Sequence, residues 1–291
     1  MDRPETVGDL SGALRAGGYI ADRGLATALF VGIRMHRPVL LEGEVGVGKT
    51  EVAKVLAAIY GRTLIRLQCY EGIDVNQALY EWDYARQMLH IRALSEHQVA
   101  DPDSVDKLFG PKFLLERPLL AAVRAGEQAV LLVDEIDRAD DEFEAFLLEV
   151  LSDFQISIPE VGTIKADSPP LVILTSNRTR ELHDALKRRC LYYWIGYPPA
   201  EREVEIVLLK EPGVGPALTR KVVAAVNRLR ELDLAKPPGV AETIDWAKTL
   251  HFLGETDLNP EVAGDTLGAV VKERDDLELV RENLADVTTG G

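Results

Sequence analysis

Arg37-Pro-Val-Leu-Leu-Glu-Gly-Glu-Val-Gly-Val-Gly-Lys-Thr50 is the stretch from which the rest of this 291-residue chain can be read. Val39 to Leu41 form a short apolar strand, a glycine-rich loop follows, and Lys49-Thr50 open a helix. Gly43, Gly48, Lys49 and Thr50 fill the fixed places of G-x-x-x-x-G-K-[ST], with Glu44, Val45, Gly46 and Val47 in the variable ones. Glycines let backbone N–H groups close around phosphate oxygens with no Cβ in the way. The helix N-terminus behind them adds donors and about half a positive charge. Lys49 is placed to reach the terminal phosphates of a nucleotide, and the Thr50 hydroxyl to hold Mg²⁺.

Working outward, Ala129-Val-Leu-Leu-Val133 is a continuous apolar run between two helical patterns, as in a parallel strand buried on both faces. It ends in Asp134-Glu135, at the edge where open parallel sheets place ligands. One carboxylate there can hold Mg²⁺ opposite Thr50, and the second can orient and deprotonate water. By itself Asp-Glu after a strand is an ordinary helix start; the phosphate loop upstream decides for the chemical reading. Leu171-Val-Ile-Leu174 is the next such strand and runs into Thr175-Ser176-Asn177, where Asn177 can touch the same water or the last phosphate. Thr63 to Gln68 reads as the second strand in chain order, and Lys187-Arg188-Arg189 precedes the fifth, Leu191 to Ile195. A basic cluster there is either a solvated face or a guanidinium offered to a neighbouring subunit.

Residues 7–34 are expected to be helical with a break at Gly17-Gly18, and Asp74 to cap a short helix ending near Leu79. Tyr80–Tyr84 and Met88–Arg92 read either as two arms of a hairpin or as one amphipathic helix. Ser95–Lys107 reads as an exposed connection, Phe113–Ala125 as a helix, and Gln155–Ile158 with Gly162–Lys165 as a hairpin. After Tyr197-Pro198-Pro199 only helical patterns remain, over about 200–210, 217–232, 240–253 and 260–283. That change sets a domain boundary, with an α/β nucleotide-binding core over 1–197 and a helical lid over 198–291.

Apolar content of 46% and charged content of 28% are those of a soluble globular protein. No stretch approaches the ~20 apolar residues of a membrane span, and the N-terminus lacks the features of a signal peptide. Cys69 and Cys190 are far apart and in no metal-ligand spacing, which fits a cytoplasmic protein with reduced thiols. A net charge of −15 argues against nonspecific nucleic-acid binding. From Glu255 onward ten acidic residues face three basic ones, either a solvated helical tail or a docking surface for a basic partner.

Gly43–Thr50, Leu131-Leu-Val-Asp-Glu-Ile136, Thr175-Ser-Asn177 and Ala185-Leu-Lys-Arg-Arg189 stand in the order of Walker A, Walker B, sensor 1 and arginine finger. The chain resembles an AAA+ ATPase over nearly its whole length, and within that group the MoxR family. Asp-Glu-Ile-Asp-Arg-Ala139 is similar to that family's motif, with Asp137 where Asn is usual. Phe113-Leu-Leu-Glu-Arg-Pro118 and Leu191-Tyr-Tyr-Trp194 are similar to the branch found beside carbon monoxide dehydrogenase genes.

The resemblance implies a P-loop core with strand order 5-1-4-3-2, a C-terminal all-helical lid, and a ring, typically a hexamer, with ATP and Mg²⁺ bound between subunits. It also implies a chaperone-like task on a client metalloenzyme, the molybdenum–copper enzyme in that branch, with a partner carrying a von Willebrand factor A domain. Lys49 and Thr50 would serve phosphate and metal, Asp134 the metal, Glu135 as general base, Asn177 as sensor 1, and Arg189 or Arg188 as finger. Gly239-Val-Ala-Glu242 stands where a sensor-2 arginine is expected. That departure favours a second reading, a nucleotide-gated assembly module with slow hydrolysis. Tyr70 stands where ring ATPases carry a pore-loop aromatic; a tyrosine packed over a strand end is the equal alternative.

Overall fold

The computed structural model describes residues 4–93, 107–159 and 161–289. It opens with two helices, α1 (Val7–Ala16) and α2 (Arg23–Met35), whose N-cap side chains Thr6 and Asp22 accept from the N–H groups of Asp9 and Leu25. Gly17 ends α1 at the expected interruption. β1 (Val39–Gly43) feeds α3 (Lys49–Tyr60), which Gly61 closes in the left-handed conformation. Then come β2 (Thr63–Gln68), α4 (Val75–Leu79), β3 (Tyr80–Trp82), α5 (Tyr84–Ala93), β4 (Leu114–Glu116), α6 (Pro118–Ala125) and β5 (Ala129–Asp134). The order continues with α7 (Asp141–Asp153), β6 (Gln155–Ile158), β7 (Gly162–Lys165), β8 (Leu171–Ser176), α8 (Asp184–Arg189) and β9 (Leu191–Ile195). Beyond Pro199 the described residues form helices alone: α9 (Ala200–Lys210), α10 (Pro216–Glu231), α11 (Val240–Phe252), α12 (Pro260–Thr266), α13 (Arg274–Glu282) and α14 (Leu284–Thr289), with a short 3₁₀ turn at Leu267–Ala269.

Five strands make one parallel sheet in the order β2-β5-β8-β1-β9, which is the expected 5-1-4-3-2 arrangement read from its other edge. β1, β5 and β8 are buried at every position because continuous apolar runs supply both faces. Alternate residues feed opposite layers. Leu40, Leu131, Val133, Val172 and Leu174 join one cluster, while Val39, Leu41, Val130, Leu132 and Ile173 join the other. Each such side chain contributes ~1.5–3 kcal/mol on burial. β9 lies at an edge and alternates between half-buried and exposed residues. The register sets Glu42 opposite Ser176 and Gln68 opposite Asp134, so β1, β5, β8 and β2 all end along one margin. The C-terminal helices close over an apolar cluster of their own, around the fully buried Trp246.

Three local expectations need correction. Tyr80–Trp82 is a strand, but it pairs antiparallel with Leu114–Glu116 and not with Met88–Arg92. Met88–Arg92 belongs to helix α5, because the Asp83 carboxylate accepts from the Arg86 N–H and starts a helix there. The helix expected over Phe113–Ala125 begins only at Pro118, since the residue before a proline avoids helical backbone and Arg117 is extended. The last helix is broken into three: Val270 and Val271 turn into the core, and Glu273 is extended. The connection expected over Ser95–Lys107 lies, Lys107 aside, outside the described residues.

Candidate functional site

The phosphate-loop sequence folds as it does because two glycines leave no choice. A Cβ on Gly43 would lie 2.0 Å from the Ile195 carbonyl oxygen, so β9 can approach β1 only with glycine there. Gly46 has φ 76° and faces Gly239 at the start of α11, with no room for a side chain. Between them Glu44 and Val45 are exposed; after Gly46, Val47 is buried and Gly48 then caps the start of α3. Lys49 is 6% exposed, and its ammonium donates to the carbonyls of Gly43 at 2.7 Å and Glu44 at 2.6 Å. Burial lowers its pKa, against the opposing effect of Asp137, Glu44, Asp134 and Glu135. A buried cation whose hydrogen-bond partners among the described residues are neutral carbonyls is poised to take an anion.

Asp134 ends β5 beside this loop, 2% exposed. Its Oδ1 accepts from the Thr50 hydroxyl at 3.0 Å and from the Thr175 hydroxyl at 2.5 Å. Its Oδ2 accepts from Arg66 Nε, on β2, at 2.9 Å. Glu135 follows in the left-handed conformation, φ 55°, which carries its side chain off the strand line; its N–H donates to the Thr175 hydroxyl at 2.9 Å. The Glu135 carboxylate is partly exposed and, among the described residues, has one long contact, 3.4 Å, with Arg138. Asn177, just beyond β8, is half-buried and makes no side-chain hydrogen bond among the described residues. The same residues contain no cluster of three His, Cys, Asp or Glu able to hold a metal alone. Thr50 and Asp134 fit a Mg²⁺ that keeps waters and takes its remaining ligands from phosphate.

A cavity of about 320 Å³ opens beside Gly48, lined by Tyr19, Ile20, Tyr193, Pro198 and Ile206 and closed on the far side by Ile244 of α11. Its size and mixed lining suit a ring system that must be held flat and partly dry. Asp22 braces one wall: it accepts from the Tyr193 hydroxyl at 2.6 Å and pairs with Arg202 at 3.7 Å. Burial and that hydrogen bond push the Tyr193 hydroxyl up to about 12, so it stays a donor. Helix α11 meets the loop through backbone, Ala241 N–H donating to the Gly46 carbonyl at 3.1 Å.

The basic cluster on α8 lies apart. Lys187 pairs with Glu181 at 2.9 Å, and Arg189 donates to the Leu148 carbonyl at 2.8 Å. Arg188 is exposed, and its side chain has no hydrogen bond or ion pair among the described residues. None of the three is bonded to this chain's own phosphate loop. Arg37, at the entry to β1, donates to the carbonyls of Arg188 at 3.0 Å, Arg189 at 3.3 Å and Cys190 at 3.2 Å.

Residues 38–190 match the AAA domain family, dynein-related subfamily. The chain belongs to that family. Among curated relatives, this AAA protein is 29% identical over 217 residues to Chaperone MoxR1 of Mycobacterium tuberculosis, covering 72% of this chain and 49% of that protein. It is 27% identical over 278 residues to the chaperone protein ClpB of Bacillus cereus, covering 87% of this chain and 28% of ClpB. Protein NorQ of Paracoccus denitrificans is 25% identical over 202 residues, with 67% and 65% covered. The chain thus spans about half the length of MoxR1 and under a third of ClpB. A mutant of Thermotoga maritima RuvB superposes with a TM-score of 0.52 at 17% identity, covering 99% of this chain and 82% of that one, and shows the shared fold.

Several residues of this AAA site carry no motif of their own. Arg66 on Asp134, Asp22 behind Tyr193, and Arg37 behind α8 act across the sheet, at sequence separations of 68, 171 and about 150 residues. Tyr19 is readable in part: it follows Gly17-Gly18, the break expected in the helical segment ahead of β1. Tyr70, in contrast, is exposed and donates to Gln77 at 2.8 Å, which leaves both readings of it open.

Proposed function

We propose that this AAA protein is an ATP hydrolase built as a core over 1–197 and a lid over 198–291. The observation that carries the reading is the convergence of Lys49, Thr50, Asp134 and Glu135 where β1 and β5 end, beside a cavity sized for the base. Gly43–Thr50 would cradle the phosphates of ATP, and Thr50 and Asp134 would hold Mg²⁺, which would supply positive charge to offset that developing on the phosphates. Lys49 leaves its two carbonyls for the terminal phosphates. Glu135 takes the proton of the attacking water, and Asn177 holds that water or the last phosphate. The remaining cation comes from Arg188 or Arg189 of a neighbour in a ring, a hexamer by family habit, because neither arginine serves its own loop. The chaperone names of MoxR1 and ClpB support a remodelling task, and the motif resemblance supports a metalloenzyme client, the molybdenum–copper carbon monoxide dehydrogenase, reached with a von Willebrand factor A partner in the cytoplasm.

Glu135→Gln tests the chemistry. It should bind ATP as the unaltered protein does and lose turnover by ~10²–10⁴-fold; undiminished turnover removes Glu135 from the role. The same variant, held in ATP and used to retrieve partners, identifies the client. One observation favours the alternative of a slow, nucleotide-gated assembly module. The lid approaches the loop with the Glu242 carboxylate and a backbone N–H, where a sensor-2 arginine is expected. Turnover that does not rise with protein concentration or added partner supports that alternative.

A further inference from the structure

Among the described residues, one carboxylate near the site bonds a single residue and pairs with no cation. Asp137 follows Glu135 by two positions and is 2% exposed. Its Oδ2 accepts from both the N–H and the hydroxyl of Thr179, each at 2.8 Å. Its Oδ1 is a buried side-chain oxygen with no hydrogen-bond partner among the described residues. A buried carboxylate without a directly bonded cation is costly, and what this one secures is the loop that carries Asn177.

Thr179 follows Asn177 by two positions, just as Asp137 follows Glu135. Each of these short spans contains a left-handed non-glycine residue, Glu135 at φ 55° and Arg178 at φ 56°. Such residues persist only where their surroundings fix them. The strand side of the first turn is fixed by the Glu135 N–H on Thr175. The far side of the second is fixed by Arg180, which donates to the Ala139 carbonyl at 2.8 Å and pairs with the fully buried Glu144. Between these anchors, the Asp137–Thr179 bonds join the two turns.

We propose that Asp137 is a positioning residue: by clasping Thr179 it locks the turn that aims Glu135 to the turn that aims Asn177, so that base and sensor hold one water in common register. The inference rests on the ATP-hydrolysis reading above. The clasp needs an acceptor oxygen and makes no use of the charge, which distinguishes it from a role for Asp137 as counter-ion.

Steady-state turnover and direct ATP titration of five variants test it. Asp137→Ala removes the clasp and should lower kcat about 10–100-fold, the effect of a small misplacement, with the ATP Kd held within about twofold. Asp137→Asn keeps an oxygen for Thr179 and should restore kcat to within about threefold of the unaltered protein. Thr179→Val, which loses the hydroxyl but keeps the N–H, should fall between them. In an Asn177→Ala background, Asp137→Ala should cost less than it does alone, since the two act through one unit. Unchanged kcat in Asp137→Ala overturns the clasp. So does an equal loss in the Ala and Asn variants, or weakened ATP binding in Asp137→Asn. That last result would make the carboxylate a partner of Lys49, on which it acts more strongly than the other carboxylates do. Should Asp137→Ala not fold, the Asn and Val variants decide alone. Turnover that is present in the unaltered protein and lost in Glu135→Gln establishes the parent reading separately, so a normal Asp137→Ala then defeats the clasp and nothing else.

Discussion

Gly239→Ala isolates the contact between the C-terminal helices and the phosphate loop. Gly239 has φ −83° and ψ −175°, ordinary extended backbone, so alanine brings no conformational strain. The added Cβ meets the Val45 carbonyl oxygen at 2.6 Å, Gly46 Cα at 2.8 Å and a Glu242 carboxylate oxygen at 2.9 Å. Glu242 can swing away, but the other two atoms are backbone. The methyl is about 0.8 Å short of ordinary contact, so α11 must retreat and stretch the 3.1 Å bond from Ala241 to Gly46. Overpacking of this kind costs ~1–3 kcal/mol. If ATP binding requires the closed contact, its affinity falls about 5–150-fold. The assay is equilibrium titration with ATP, with Gly215→Ala as control: Gly215 also caps a helix of the same group, α10, and has nothing within 4 Å of its would-be Cβ. Wild-type affinity in Gly239→Ala refutes the idea that nucleotide binding requires this closure. An equal loss in the control assigns the effect to general destabilisation.

Two further outcomes follow from contacts already described. Arg37→Ala frees the carbonyls of residues 188–190 and should lower kcat about 3–10-fold with ATP affinity unchanged, an effect on the arginine-bearing segment only; lost affinity would mean that Arg37 serves β1 instead. For Glu51, burial raises the carboxyl pKa, but hydrogen bonds from Lys210 and Lys54 outweigh it and leave the value lowered. A carboxylate depressed in the folded state adds stability above its unfolded pKa of about 4.3 and loses it as pH falls through the lower folded value. The melting-temperature deficit of Glu51→Gln should therefore be constant between about pH 5 and 8 and shrink below about pH 4.

The sheet was legible because β1, β5 and β8 are uninterrupted apolar runs that end in polar residues, and a run of that kind has few places to go except the centre of a parallel sheet. Lys49, Thr50, Asp134 and Glu135 were legible because backbone geometry ties them to strand ends and a helix start. The errors fell where local and long-range signals compete. Leu114–Glu116 has helix-forming residues, yet Pro118 and the pairing with Tyr80–Trp82 hold it extended. Arg66, Asp22 and Arg37 could not be found by pattern, since their partners are set by tertiary approach and not by spacing. Asp137 lies between these cases: its place in the motif was visible, but not its attachment to Thr179.

The separate apolar cluster around Trp246 has a mechanical consequence. Among the described contacts, polar links tie the C-terminal helices to the helices and phosphate loop beside the sheet: Arg15–Glu205, Lys210–Glu51, Arg202–Asp22 and a backbone bond at Gly46. Exposed or half-exposed pairs of that sort are worth ~0–1 kcal/mol each. Were the helices to move as a body about Tyr197-Pro198-Pro199, the apolar layers on both faces of the sheet would stay closed. If a nucleotide binds as proposed, a change of a few kcal/mol at its phosphates would be on the scale of these links taken together, and displacing the helices would need no partial unfolding.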